Sequence, residues 1–280
     1  MLKVFGFVRR HPSLSHDEYR CGHVGFHNSY GRRLRNIRGY ILNVRVNRLL
    51  DEPLGKNAAE LVAEKPADFD DYWSGFGQLM FDSLEDYFQG KSPALDKPGP
   101  EGLEQDDRVA DVGGDLSLLF GHPPIQFQVI EEVLQPVGRP EHKIFKVLQF
   151  AKRRSDVSNE MFQRDWTGAC GKLSGQVPGL LGMIINFPTS LDVMSGFFAP
   201  ETGAFDDSEI VRREAFRAGF DAITEYWWVD PDAMASWQSS MRAELREEEK
   251  RLFETGFFCE VDETVVVLPD RSEPPCFYHR

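Results

Sequence analysis

Tyr19, His23, His27 and Tyr30 recur at helical spacing near the N-terminus. At about 100° per residue they share one narrow face with His16 and Leu34, the face a helix turns to its sheet. An imidazole titrating near pH ~6.5 suits moving a proton at a carbon next to a carbonyl, or expelling water. Phenols beside it hold an enolate oxygen or return the proton. His27 is therefore the candidate general base and His23 its partner or the acid. Tyr30, Tyr19 and Tyr40 are candidates for the oxygen. Against this, a lone inward histidine is more often a hydrogen-bonded structural residue, and the pair brings the two readings to parity. Metal binding by i, i+4 histidines is a third reading. It lacks both the His-Glu-x-x-His pattern and an evident third ligand, so no metal is assigned.

The chain supplies its own comparison, because residues 3 to 43 recur without a gap. Lys3-Val4-Phe5-Gly6-Phe7 corresponds to Lys146-Val147-Leu148-Gln149-Phe150, Ser15 to Ser158, Gly39 to Gly182 and Asn43 to Asn186. The helix face of the second copy reads Asn159, Phe162, Trp166, Cys170, Leu173 and Val177, which is ordinary core. Only the first copy places imidazoles and phenols where hydrocarbon suffices. A buried polar group without a partner costs a few kcal/mol (about 2–7), so the replacement calls for a polar cavity between helix and sheet. Gly22 and Gly25 on the same helix each cost about 1 kcal/mol relative to Ala, and either let a ligand or the sheet come close or bend the helix.

These residues need elements to hold them. Lys3 to Val8 and Arg38 to Val46 read as strands, and Ser15-x-x-Glu18 is a capping box that starts the helix between them. Strands near Gly75 to Phe81 and within Gln126 to Leu134, with a helix from Asp82-Ser83, complete β-α-β-β-α-β. The second copy repeats the scheme, with strands near 144–152, 181–187, 222–229 and 263–268. Its helices run from Asn159 and from Pro231-Asp232 to Phe253. The fold class is α+β: two tandem ferredoxin-like domains, 1–137 and 138–280, packed sheet to sheet as a single-chain dimeric α/β barrel. On the sheet of the first, Asn43 and Gln78 are candidates for orienting a substrate, and Trp73 and Phe76 for walling it. Asn43 reads more readily as a strand-end hydrogen bonder, and Trp73 equally as core. Lys91 to Gly102 and Pro188 to Asp207 read as insertions, and the aromatic run Pro274 to Arg280 as a tail that docks or closes a cleft.

The 280 residues are 41% hydrophobic, enough for two cores. Against 45 acidic residues stand 32 basic ones, a net charge of −13 that repels phosphate backbones and anionic lipid. Nucleic acid and membrane are thus excluded as partners. No apolar run approaches membrane length, and the four cysteines show no metal spacing, which predicts a soluble, cytoplasmic chain with reduced thiols. The partners expected are small aromatic or carbonyl molecules, with homo-oligomer formation by the fused unit left open.

The run Phe7-Val8-Arg9-Arg10-His11-Pro12-Ser13-Leu14-Ser15-His16-Asp17-Glu18-Tyr19, then His27, then Leu34 to Asn43, resembles the opening of an EthD domain. Gly75 to Glu85 is similar to that domain's third-strand segment, as are Phe150 to Phe162, Pro178 to Asn186 and Ile223 to Trp228 in the second copy. The resemblance implies a dimeric α/β barrel and a cofactor-independent lyase, either dehydratase or cyclase, acting on an aromatic or polyketide-like carbonyl compound. The family's helix histidine corresponds to His27, and its third-strand acid is kept only as Glu225, with Gln78 in the first copy. Second readings on the same fold are a cofactor-independent monooxygenase, a haem enzyme or a non-catalytic binder. The second domain, with Cys170 in place of the histidine, is expected to be structural.

Overall fold

The computed structural model describes residues 1–32, 34–46, 61–90, 116–196, 198, 200, 202–240 and 242–269. The 91–102 stretch, the C-terminal tail, Cys276 and the side chain of Tyr30 lie outside the described residues. Strands β1 (Leu2–Val8), β2 (Gly39–Val46), β3 (Gly75–Phe81) and β4 (Ile125–Gln135) come from the first half of the chain. The second half supplies β5 (Phe145–Arg153), β6 (Leu180–Pro188), β7 (Ala222–Trp228) and β8 (Phe253–Val267). All eight join in one closed barrel in the order β1-β3-β2-β8-β5-β7-β6-β4, every pairing antiparallel. The chain is thus an α+β barrel of the dimeric α/β kind. It does not keep two separate sheets facing each other. The edges meet, and closure leaves no strand edge unpaired.

The seams are made by the fourth strand of each half. β4 pairs with β1 over Ile125–Val129 and with β6 beyond it, while β8 pairs with β5 over its first part and with β2 from Glu260 to Val267. This double duty explains why β8 begins at Phe253, well before the position that alternation suggests. The expected single helix is two, α8 (Pro231–Ser240) and α9 (Ala243–Leu252). Between them the Arg242 N–H reaches back to the Trp237 carbonyl at 3.1 Å, a wider turn than an α-helix makes. The Arg242 guanidinium is drawn inward to the Glu249 carboxylate and the Phe258 ring.

Helices cover the outside. On the first half lies a continuous helical run of α1 (His16–Arg20), a π-helical segment (Cys21–His27) and α2 (Asn28–Gly31). After it come α3 (Phe69–Tyr72), α4 (Leu84–Gln89) and α5 (Leu116–Leu119). The Ser15–Glu18 capping box is formed as its spacing predicts. α6 (Asn159–Gly171) and α7 (Asp207–Ala218) complete the set on the second half, and no helix among the described residues is long and apolar enough to cross a membrane. One end of the barrel interior is filled by aromatic rings from both halves. Phe7 stacks on Phe76 at 4.7 Å and on Phe127 at 5.8 Å, and Phe150 on Phe257 at 5.5 Å. Buried in that cluster, Cys259 has its thiol pushed up to about 12 by desolvation. A thiol reagent is expected to label exposed Cys21 and to spare buried Cys170 and Cys259 until the barrel unfolds. Mass mapping after brief labelling checks this, and early modification of Cys259 would contradict a closed interior.

Candidate active site

The first helix does not keep the regular 100° step. Cys21–His27 is π-helical, whereas the equivalent part of α6 is regular. A Leu119 methyl lies where a Cβ on Gly22 would be, at 2.4 Å, while Gly25 faces open space. Gly22 therefore admits the α5 segment, and that segment carries Phe120 over the histidines. Phe120 meets His23 at 5.4 Å and His27 at 5.3 Å, both edge to face. It is fixed by a bridge to Arg10 and by the bonds His11 N to Leu119 O and Gly121 N to Arg9 O. Nothing in the spacing announces Phe120, which follows a long insertion in sequence.

Tyr19 and His23 are 0% and 1% exposed, and the Tyr19 hydroxyl lies 2.6 Å from His23 Nδ1. Desolvation pushes the Tyr19 phenol well above its ordinary value. Desolvation and then the His27 ring hold the His23 imidazole well below its own. The phenol stays protonated and the imidazole neutral, and the two share one hydrogen bond through Nδ1. His27, half-buried, stands 5.3 Å from His23 between ring centroids. The constellation is a fixed neutral imidazole beside a more accessible one. Gly75 on β3 makes room for it, since a Cβ there would sit 2.5 Å from the Tyr19 hydroxyl and 2.7 Å from the Asn43 carbonyl oxygen. Gly75→Ala is expected to cost about 1–3 kcal/mol by overpacking, read as a lowered melting temperature. An unchanged melt would place the Tyr19–His23 pair elsewhere.

The candidates chosen from the sequence divide between two faces of the sheet. Tyr40 shares the outer, helix-covered layer with Tyr19, its ring wedged where a Cβ on Gly31 would lie. Asn43, three residues along β2, faces the interior, because strand residues alternate and an odd step changes face. Gln78 and Phe76 are inside with it. Trp73 packs edge-on against Phe7 in the same aromatic cluster. The sheet stands between these four and His27, so the expectation that they hold a molecule at the histidine needs correcting. Phe76 and Trp73 are core, and Asn43 and Gln78 belong to a polar network.

That network occupies the other end of the barrel. Lys146 Nζ contacts Asn43 Oδ1 at 2.8 Å, Glu263 Oε2 at 2.7 Å and Glu225 Oε2 at 2.7 Å. Lys3 Nζ contacts Glu131 Oε2 at 2.6 Å and Glu225 Oε1 at 3.0 Å. Gln78 Nε2 donates to Glu225 Oε2 at 2.6 Å and Asn186 Nδ2 to Glu225 Oε1 at 2.9 Å. Against the desolvation that opposes ionisation, Lys146 and Lys3 hold the Glu225 carboxyl down to about 2. The equivalent lysines Lys3 and Lys146, each second in its strand and followed by apolar residues, are the sequence signal for this network.

In the second half, Trp166 donates to Thr224 Oγ1 at 3.0 Å and Cys170 is buried, so that helix face is packed. No group of three His, Cys, Asp or Glu side chains placed to hold a metal ion occurs among the described residues.

No protein-family model matches the chain, and no curated protein matches it. The EthD resemblance therefore rests on the motifs that carry it. Solved structures share the fold. A proposed monooxygenase from Fusobacterium nucleatum superposes with a TM-score of 0.53 at 6% identity, covering 94% of this chain and 92% of that one. An anthrone oxidase-like protein gives 0.51 at 8% identity, covering 97% and 96%.

Proposed function

We propose that the chain is a cofactor-independent oxygenase of an electron-rich phenolic or anthrone-like carbon acid, with His27 as proton acceptor. The observation that carries this reading is the asymmetric imidazole pair. His23 is buried, neutral and fixed by Tyr19, while His27 beside it is accessible, on the one helix whose counterpart is plain core. A neutral His23 places no competing cation next to the base. Tyr40, and Tyr30 as the sequence suggested, would serve the substrate oxygen. The names borne by the fold's solved relatives favour oxygenation over the dehydratase or cyclase reading, which shares the same first step.

The chemistry balances without a reductant. His27 takes the proton of an acidic C–H, and the resulting carbanion supplies electrons to O2. The methylene becomes a carbonyl with one oxygen atom, and the second oxygen leaves as water with both methylene hydrogens. In this reading residues 1–137 and 138–280 are tandem ferredoxin-like, EthD-like domains, the first carrying the site and the second completing the barrel. Oxygen uptake with 1,8-dihydroxyanthrone as substrate tests it. One O2 consumed per substrate, with a gain of 14 Da in the product, is expected. Loss of 18 Da or rearrangement without oxygen uptake would return the lyase or cyclase reading, and binding without turnover the non-catalytic one.

A further inference from the structure

A cavity of about 530 Å³ opens at the charged end of the barrel, within the ordinary range of ligand pockets. Ile41, Met80, Val133 and Ile184 give it apolar walls, and Lys3, Gln78 and Glu131 lie at its polar side. The opposite end of the same barrel is solid with aromatic rings. Burying ions where hydrocarbon would pack is seldom stabilising, so the polar end calls for a use.

The two halves place equivalent lysines here, and they differ in one respect. Lys146 spends its three N–H donors on Asn43, Glu225 and Glu263 and lies 4.4 Å from the centroid of the Trp227 ring. Among the described residues, the Lys3 ammonium hydrogen-bonds Glu131 and Glu225 alone, with the Phe5 ring centroid at 5.2 Å, which leaves one N–H donor, and it lines the cavity. Glu131, with its side chain 24% exposed, gives one oxygen to Lys3 and keeps the other as an acceptor. Around the network, Lys3, Lys146 and Arg139 balance Glu131, Glu225 and Glu263, so the site offers no net charge to an ion. Trp227 adds an aromatic wall.

We propose that this barrel mouth is a second small-molecule site, for a neutral planar aromatic that presents a carbonyl oxygen to Lys3 and an adjacent hydroxyl to Glu131. It lies on the inner face of the sheet and does not depend on the chemistry assigned to His27 on the outer face.

Equilibrium titration of the full chain with 1-hydroxy-2-acetonaphthone tests the site, with the methoxy analogue as the probe lacking the hydroxyl donor. Saturable one-to-one binding is expected, weakened about tenfold or more, which corresponds to ~1.4 kcal/mol, by Lys3→Met, by Val133→Trp and by methylation of the probe. Val133 is half-exposed on the rim, so Val133→Trp narrows the mouth without touching the ion pairs, and it keeps the test valid if Lys3→Met fails to fold. His27→Ala should leave this affinity unchanged while lowering oxygenase turnover. Absence of binding by the native chain, unchanged affinity in Val133→Trp, or loss of binding in His27→Ala would overturn the proposal.

Discussion

Glu225→Gln is expected to destabilise the barrel by about 3 kcal/mol at neutral pH and to flatten its stability in acid. Glu225 is fully buried and receives Lys3, Lys146, Gln78 and Asn186. Removing its charge takes the shared carboxylate from two buried ammonium groups, leaving Lys3 with Glu131 and Lys146 with Glu263 and one positive charge uncompensated. The native carboxyl is held down to about 2, below its ordinary 4.5. The unfolded chain therefore binds this proton more readily than the native one does. The stabilisation is complete above the ordinary value and is lost as pH falls through the window from 4.5 to about 2, an amount of about 3 kcal/mol. Urea unfolding at pH 7 and at a pH inside that window should show the native chain losing stability more steeply than the variant. Parallel losses in both would remove Glu225 from the centre of the network.

His27→Ala should lower kcat by about 10²- to 10⁴-fold, the usual contribution of a positioned base, with little change in melting temperature because the ring is half-buried. His23→Phe should keep the fold, since the equivalent position holds Trp166, yet it removes the neutral imidazole beside the base. Added imidazole should restore part of the turnover of His27→Ala and none to His23→Phe, whose pocket is closed. Oxygen uptake by the three proteins checks this, and activity of His27→Ala within a few fold of native would sink the assignment of the base.

The strands were legible because alternation and the internal repeat reinforced one another, and β1, β2 and β3 fall within a residue or two of their expected positions. β8 was foreshortened, since a strand that pairs with two neighbours along different parts of its length carries no single alternating pattern. The polar helix face was legible as a contrast with the apolar face of the second copy. The sidedness of the sheet was not. Asn43 and Gln78 seemed to accompany His27 because they lie on neighbouring elements, and only the alternation of β2 and β3 about the barrel wall separates them. Glu225 stood out as the retained third-strand acid. Its partners Lys3, Lys146, Gln78 and Asn186 come from four strands in two halves, a convergence that no local window reveals.

If the chain arose by joining two copies of one gene, the interior records what joining permitted. A symmetric pair of subunits must carry the same residue twice at each equivalent place. It would have two Gln78-like amides, and so no central acid to bridge the lysines, or two Glu225-like acids crowded about them. A single covalent chain holds one of each, amide donating to carboxylate, and it gives one lysine a saturated environment and the other a vacant donor. Heredity without symmetry is what lets one half of that polar end become distinguishable from the other.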